Sequence, residues 1–375
     1  MQGTPIIAAF VSTNSISQGA QVPILWNVLI KEYNINIHFA YKTFQWESEA
    51  SEKAAVHCVI IGFANTKTDT KYLFIGDEKR KVEHINPYLE DREDCLIPSR
   101  KRPLCDVPKM SFGNQPRDGG HFIISFEERE QILVKADGAE KWLRPYIGAE
   151  EFIKGKKRWC LWLKKASPND IKSSRTLYQK VEAVREFRLK STAKTTNGYA
   201  KVPHLFAQIT QPENVDYLVI PSTSSENRDY IPIGFIAHEN IASNAVQIIP
   251  SATLYHFGIL TSDVHMAWMR TVAGRLEMRY RYSKEIVYNN FPWPEPIDSQ
   301  HEKIESTARQ ILAARELYPD SSLADLYDRT TMPPELRRAH RDNDRAVRAA
   351  YGFPADLGEK EVVARLLELY AIKTS

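Results

Sequence analysis

The segment Val56–Phe63, VHCVIIGF, constrains the fold more than any other stretch of this chain. A short apolar run rich in β-branched side chains reads as a strand covered on both faces. Such a strand needs sheet neighbours and a covering layer, and the flanking segments supply candidates. Ile6–Val11 is another apolar run and reads as a buried strand entered directly from the amino terminus. Ser17–Glu32 sets Val22, Leu25, Trp26, Leu29 and Ile30 at helical spacing, and Ile35–Trp46 reads as a further strand. Strand, helix, strand, strand is the order found at the end of an α/β sheet. Residues 1–78 are too few for a complete doubly wound domain.

Beyond that sheet the pattern changes. Residues 79–298 hold most of the prolines and many aromatics. Short β-like pieces at Gly120–Phe126, Tyr217–Pro221 and Ala245–Pro250 are separated by turn signals, with helical stretches near Asn169–Lys190 and Ser262–Leu276. This predicts a mixed α+β domain built around a curved sheet. Residues 299–375 read as helical. Ser299–Tyr318 carries Ile304, Ala308, Ile311 and Leu312 on one face, Pro333–Tyr351 opens with prolines that a first helical turn tolerates, and Glu359–Ile372 carries Val363, Leu366, Leu367 and Tyr370. A chain of 375 residues has the length for this division.

Other classes are disfavoured. No apolar run approaches a membrane span, and no basic segment followed by an apolar core opens the chain, so no membrane partner is expected. Cys58, Cys95, Cys105 and Cys160 form no CxxC pair and have no histidine at ligand spacing. They read as free thiols in a reducing cytoplasm, with no metal site.

The net charge of +3 says little, but its distribution says more. Lys79–Lys81, Ser99–Pro103 and Lys154–Lys165 are locally basic. Lys154, Lys156, Lys157 and Arg158 suit a phosphate backbone, a solvated charged face being the plainer reading of any single cluster. Ser12–Gly19, STNSISQG, follows a strand directly. It reads either as a ligand-binding turn at a strand's carboxyl end or as a helix start capped by Ser15 or Ser17. Thr43–Trp46, TFQW, ends a strand with aromatics that either stack on an extruded base or sit in the core. In Ser222–Tyr230, STSSENRDY, Glu226 and Arg228 share a side if the segment is extended. An arginine can read guanine and a glutamate the cytosine amino group, while a surface hairpin with a local ion pair is the plainer alternative. Arg275–Pro294 interleaves aromatics with cations, among them Arg279 and Arg281, as phosphate contact with stacking requires; the alternative is packing at a domain junction.

Taken together, these segments resemble the carboxyl-terminal part of MmeI-like (Type IIL) restriction–modification enzymes. FVSTNSISQG is similar to the strand and turn after that family's catalytic box, and FQWESEASEKAAVHCVIIGF to the last strands of its methyltransferase sheet. NQPRDGGHFIIS, WLRPYIGAEEFIKGKKRWCLWL and SSENRDYIPIGF resemble its target-recognition domain. MRYRYSKEIVYNNFPWP resembles the exit from that domain, and LADLYDRTTMPPELRRAHRDNDRAVRAAYGF its terminal helical domain. The resemblance implies an α/β end of a methyltransferase sheet at 1–78, a DNA target-recognition domain at 79–298 and a helical domain at 299–375.

It also implies double-stranded DNA as partner, Phe44 with Trp46 as fallback on the flipped adenine, and Glu226 and Arg228 reading one base pair. The glycine-rich S-adenosylmethionine loop and the Asn/Asp-Pro-Pro-Tyr/Phe box of the family do not occur in this sequence. The chain is therefore expected to bind no cofactor and to be inactive by itself, S-adenosylmethionine belonging to the intact enzyme. It reads as a piece of a longer enzyme or a truncated reading frame that lacks the nuclease and catalytic portions. The alternative is a standalone specificity subunit that docks on a separate methyltransferase chain.

Overall fold

A computed structural model describes residues 6–46 and 56–374. The first sheet is built from β1 (Ile7–Thr13), β2 (Asn36–Trp46), β3 (Val56–Ala64), β4 (Lys71–Ile75) and β5 (Glu78–Val82), with helix α1 (Gln21–Lys31) between its first two strands. Their spatial order is β1-β3-β2-β4-β5, parallel only between β2 and β4. Strand β3 contains the apolar run Val56–Phe63. Val59 and Ile61 are buried, and at Gly62 a Cβ would stand 2.0 Å from the Phe39 ring, so only glycine lets that ring lie flat on the strand.

Two features depart from the sequence reading. Strand β1 forms as expected but is not buried: it is an edge strand with Ile7, Phe10 and Val11 exposed. The cause is pairing on one side only, with no layer among the described residues over its outward side chains. Strands β4 and β5 were not anticipated, the KRK run reading only as a locally basic cluster. Lys79 instead lies 3.9 Å from the centre of the Tyr72 ring and Arg80 pairs with Glu78 at 2.6 Å, a charged edge that resists further pairing. The sheet thus runs past residue 78 to Val82.

The middle region contains β6 (Ser111–Phe112), β7 (Ile123–Ile124), α2 (Phe126–Lys135), β8 (Leu143–Ile147), α3 (Ala149–Lys154), β9 (Trp159–Leu161), α4 (Pro168–Ser173), α5 (Arg175–Leu189) and α6 (Lys194–Gly198). It continues through β10 (Tyr217–Pro221), β11 (Thr223–Ser224), β12 (Gly234–Ile236), β13 (Ile241–Ala242), β14 (Val246–Pro250), α7 (Leu254–Leu260), α8 (Asp263–Val272), β15 (Gly274–Leu276) and β16 (Arg279–Arg281). The expected single curved sheet is replaced by three small ones, ordered β12-β10-β14-β6, β11-β16-β15 and β13-β8-β9-β7. Strands this short are interrupted by turns before one sheet grows.

Local capping explains the other boundary differences. The strand expected over 120–126 forms only at β7, because Ser125 accepts from the Glu128 amide and starts α2 there, and Ser174 accepts from the Leu177 amide and divides the helix expected over 169–190. The helix expected to reach Leu276 stops at Val272 and becomes β15.

Helices α9 (Asp298–Glu316), α10 (Leu323–Leu326), α11 (Pro334–Ala350) and α12 (Glu359–Thr374) complete the chain. One core runs through all three regions, joining Trp26 and Val59 to Leu218, Ile220 and Trp268 and on to Ile304, Val347 and Leu366. Strand β10 divides its side chains: Leu218 and Ile220 face this core, while Tyr217 and Val219 face a smaller one with Val246 and Ile248. A third core lies under β7, β8, β9 and α5. Beside it Arg188 is fully buried, and its guanidinium donates to the carbonyls of Pro116, Arg117, Tyr199, Val202 and Leu205 at 2.7–3.1 Å. Every donor of that planar group is satisfied, which is what makes a buried cation tolerable.

Candidate functional site

The segment after β10 is the most polar stretch placed on a rigid base. Pro221 ends the buried strand, and Ser222 is fixed by Tyr282, whose amide donates to its carbonyl at 2.9 Å, and by Gln247, whose Nε2 donates to its Oγ at 3.1 Å. Thr223 and Ser224 then form β11, pairing with β16 so that Thr223 stands opposite Arg281 and Ser224 opposite Tyr280. The chain next turns back: the Arg228 amide donates to the Ser225 carbonyl at 3.4 Å and the Asn227 amide to Ser225 Oγ at 3.2 Å. Serine at the start of a turn acts in this way.

Glu226 and Arg228 are therefore on a turn, not on one face of an extended segment, and strand alternation does not relate them. Among the described residues no ion pair joins Glu226 to Arg228, as a surface hairpin would have it. Glu226 Oε2 is buried without a hydrogen-bond partner, and Asn227 is exposed. Arg228 is half-buried; desolvation lowers its pKa, with Asp328 pulling the other way.

The structure brings Arg279 and Arg281 beside this turn. They alternate with buried Tyr280 along β16, so both point outward on the strand that carries β11. Arg279 also bonds Glu277 at 2.8 Å. The aromatics interleaved with these cations do not form a stacking surface. Tyr280, Tyr282, Tyr288, Phe291 and Trp293 are all buried in the core, because this stretch is a domain junction. The sequence could not separate the two roles; the pairing of β11 with β16 does.

Phe44 and Trp46 lie on the first sheet, apart from that turn. Phe44 is half-buried opposite Cys58, its ring 6.3 Å from that of Trp46, which is 48% exposed. A register irregularity between Tyr41 and Phe44 re-aims the strand end. Next to it a cleft of about 310 Å³ separates the first sheet from the middle region, lined by Ser17, Gln18, Thr43, Glu90, Arg270 and Arg275 among others. Its floor is tight. Gly19 has φ +59°, and a Cβ there would approach the Gly274 Cα to 3.0 Å.

The basic run on α3 and after it is partly engaged locally. Lys154 and Lys156 both reach Glu150 at 3.0 Å. Arg158 bonds Glu151 at 2.9 Å and lies 5.0 Å from the centre of the Tyr146 ring, while Lys157 is exposed.

The Ser12–Gly19 turn does not form a nucleotide cradle. Thr13 bonds Ser15, Ser17 Oγ donates to the Asn14 carbonyl, and Trp26 Nε1 donates to the Ile16 carbonyl. Asn14 Nδ2 is buried without a partner, a single donor and not an array. Neither Ser15 nor Ser17 caps α1, whose N-cap is Ala20. These residues do not fit a site for S-adenosylmethionine. Among the described residues there is also no cluster of metal ligands and no helix long and apolar enough to cross a membrane.

Comparison with known proteins places this geometry. The family model for the MmeI target recognition domain matches residues 91–295, that for the MmeI DNA-methyltransferase domain residues 1–75, and that for the MmeI C-terminal domain residues 297–375. DNA methyltransferase A of Bacillus subtilis (strain 168) is 42% identical over 363 residues, which is 96% of this chain and 41% of that protein. The solved structure of the Type IIL restriction–modification enzyme MmeI in complex with DNA superposes with a TM-score of 0.95 at 46% identity, over 98% of this chain and 50% of that one. The chain thus spans about half the length, or less, of the relatives it matches.

Proposed function

This chain belongs to the MmeI family, and on that premise we propose that it is the sequence-reading part of a DNA adenine methyltransferase of the restriction–modification type, acting on double-stranded DNA. The observation that carries the reading is the superposition of 98% of the chain, at a TM-score of 0.95, on an enzyme solved with DNA bound. A coverage of 98% takes in all three regions of the chain.

Roles follow from the chemistry of each group. Arg228 donates two hydrogen bonds to guanine O6 and N7, and Glu226 accepts from the cytosine amino group of the same pair. Phe44 stacks on the adenine once it leaves the duplex, with Trp46 at the rim. Arg279 and Arg281, and less directly Lys154, Lys156, Lys157 and Arg158, neutralise phosphates. The turn that carries Glu226 and Arg228 supports base reading because β11 and β16 hold it while its own side chains are not spent on one another.

Methyl transfer to adenine N6 and the binding of S-adenosylmethionine belong in this reading to a longer assembly in the cytoplasm. The exposed Ile7, Phe10 and Val11 on β1, with Ile24 and Val28 on α1, support a further methyltransferase layer as their cover. The reading holds whether that layer is the same polypeptide or a separate subunit.

Selection of bound duplexes from a randomised library, followed by sequencing, tests the assignment. The unmodified chain is expected to return one motif. The paired exchange Glu226→Lys with Arg228→Asp is expected to change the base chosen at one position and leave the others. An unchanged motif, or loss of preference at every position alike, would overturn the assignment.

A further inference from the structure

The residues immediately after the recognition turn are gripped by the helical region, far away in sequence. Asp229 accepts from Arg329 at 2.9 Å, and its carbonyl accepts from Arg270 at 2.5 Å. Arg329 lies in the turn between α10 and α11, and its neighbour Asp328 faces Arg228 electrostatically. One direct ion pair, Asp229 with Arg329, thus ties the segment to this turn, and the Asp328 charge acts on Arg228 beside it. One residue on, the Tyr230 hydroxyl donates to Asp344 Oδ2 at 2.6 Å, and its ring stacks on His340 with centroids 4.1 Å apart at 23°. Both partners are on α11, and both are buried.

These partners are themselves fixed. Asp344 Oδ1 accepts from the Asp263 amide at the start of α8 at 2.8 Å. His340 bonds the Tyr327 hydroxyl at 2.8 Å, and Arg315 donates both to that hydroxyl and, at 2.7 Å, to the Ile233 carbonyl. The segment therefore passes from exposed Asn227 to buried Ile231 through a continuous polar scaffold supplied by α9, the α10–α11 turn and α11.

Such a scaffold differs from apolar packing in one respect. Hydrogen bonds and opposed charges are directional, so they fix where the segment stands as well as that it is held. Base reading needs that precision, since productive geometries tolerate errors of only about 0.5 Å. Resting on the reading of Glu226 and Arg228 as base contacts, we infer that Arg329, Asp344 and His340 are positioning residues for recognition: through Asp229 and Tyr230 they set the stance of the Ser225–Arg228 turn, and so govern how sharply one base pair is discriminated. They touch no base themselves. The helical region thus takes part in specificity and is more than a prop.

The test uses the full chain and the same library selection, with thermal unfolding measured alongside. The side chains of Arg329 and Asp229 are 60% and 39% exposed, so Arg329→Ala should leave unfolding unchanged. Its preference at the position read by the turn should fall roughly five- to tenfold, within the span one bidentate contact supplies, while other positions keep theirs. Arg329→Lys should restore part of that loss by keeping the charge. Tyr230→Phe keeps the ring on His340 and removes only the bond to Asp344, and should blur the same position. An unchanged profile in Arg329→Ala and Tyr230→Phe, or an equal loss at all positions, would overturn the inference. The two readings fail separately: if the Glu226→Lys/Arg228→Asp exchange alters one position and these variants do not, only the positioning role falls. If the unmodified chain returns no motif, both fall.

Discussion

In β10 all residues from Tyr217 to Pro221 are buried, with alternate side chains facing two cores. In the turn that follows, Asn227 is exposed, Arg228 is half-buried and Glu226 keeps a carboxylate oxygen without a partner. Only a few residues separate the two, yet they carry opposite duties. The strand is wholly taken up by the fold, and the turn leaves a Glu226 carboxylate oxygen without a partner. A reading device needs both: a scaffold whose energy lies in packing, and a tip whose polar groups are withheld from the fold. Mutations should therefore separate stability from specificity across this short distance.

The largest stability effect belongs to the strand. Leu218 has 0% exposure, and Leu218→Ala should cost roughly 2–5 kcal/mol by leaving a cavity. A lowered midpoint in denaturant titration, with the slope unchanged, would report it. The turn should behave in the reverse way. Arg228→Ala should change stability by no more than about 0.5 kcal/mol and remove about 1–3 kcal/mol of discrimination at one base pair, measured by competition between duplexes. A variant at Arg228 that unfolds the protein without altering preference would break the contrast.

The junction between the two is where pH enters. Burial, and then the charge of Asp263, raises the Asp344 carboxyl above its ordinary value. The folded state holds that proton more tightly than the unfolded chain does. The group's contribution to stability is full below the ordinary carboxylate range and is lost as pH rises toward neutrality. Asp344→Asn removes the titration, so its unfolding free energy should depend less on pH across that window than the parent's. Equal pH dependence in both would show that the junction is not buried as described. The smallest effect is expected at Lys156, whose pairing with Glu150 is exposed. Lys156→Ala should leave unfolding unchanged and, if a phosphate is contacted, reduce the salt slope of DNA binding by about one.

Much of this architecture was legible in the sequence because periodicity is local. Helices α9, α11 and α12, strands β2, β3 and β10, and the order of the regions were readable from apolar spacing and from family resemblance. Burial was not readable where it depends on a neighbour. Ile7, Phe10 and Val11 look like core residues, and only the sheet order shows β1 at an edge. The basic strand β5 was hidden because its cations are stabilised by Tyr72 and Glu78 across and along the strand.

In the candidate site, the Ser222–Tyr230 segment was legible as a polar stretch between two strands, but its extended form was not kept, since the bond from the Arg228 amide to the Ser225 carbonyl competes with extension. The proximity of Arg281 to Thr223 depends on pairing between β11 and β16. The bond between Asp229 and Arg329 spans 100 residues and leaves no local trace.

The most direct test of the account is the affinity of the chain for double-stranded DNA as a function of salt. Measurable binding is expected at low salt, with a logarithm of affinity that falls linearly with the logarithm of salt concentration, as cations on the protein displace counterions from phosphates. A chain that folds but shows no binding, or binding indifferent to salt, would contradict it.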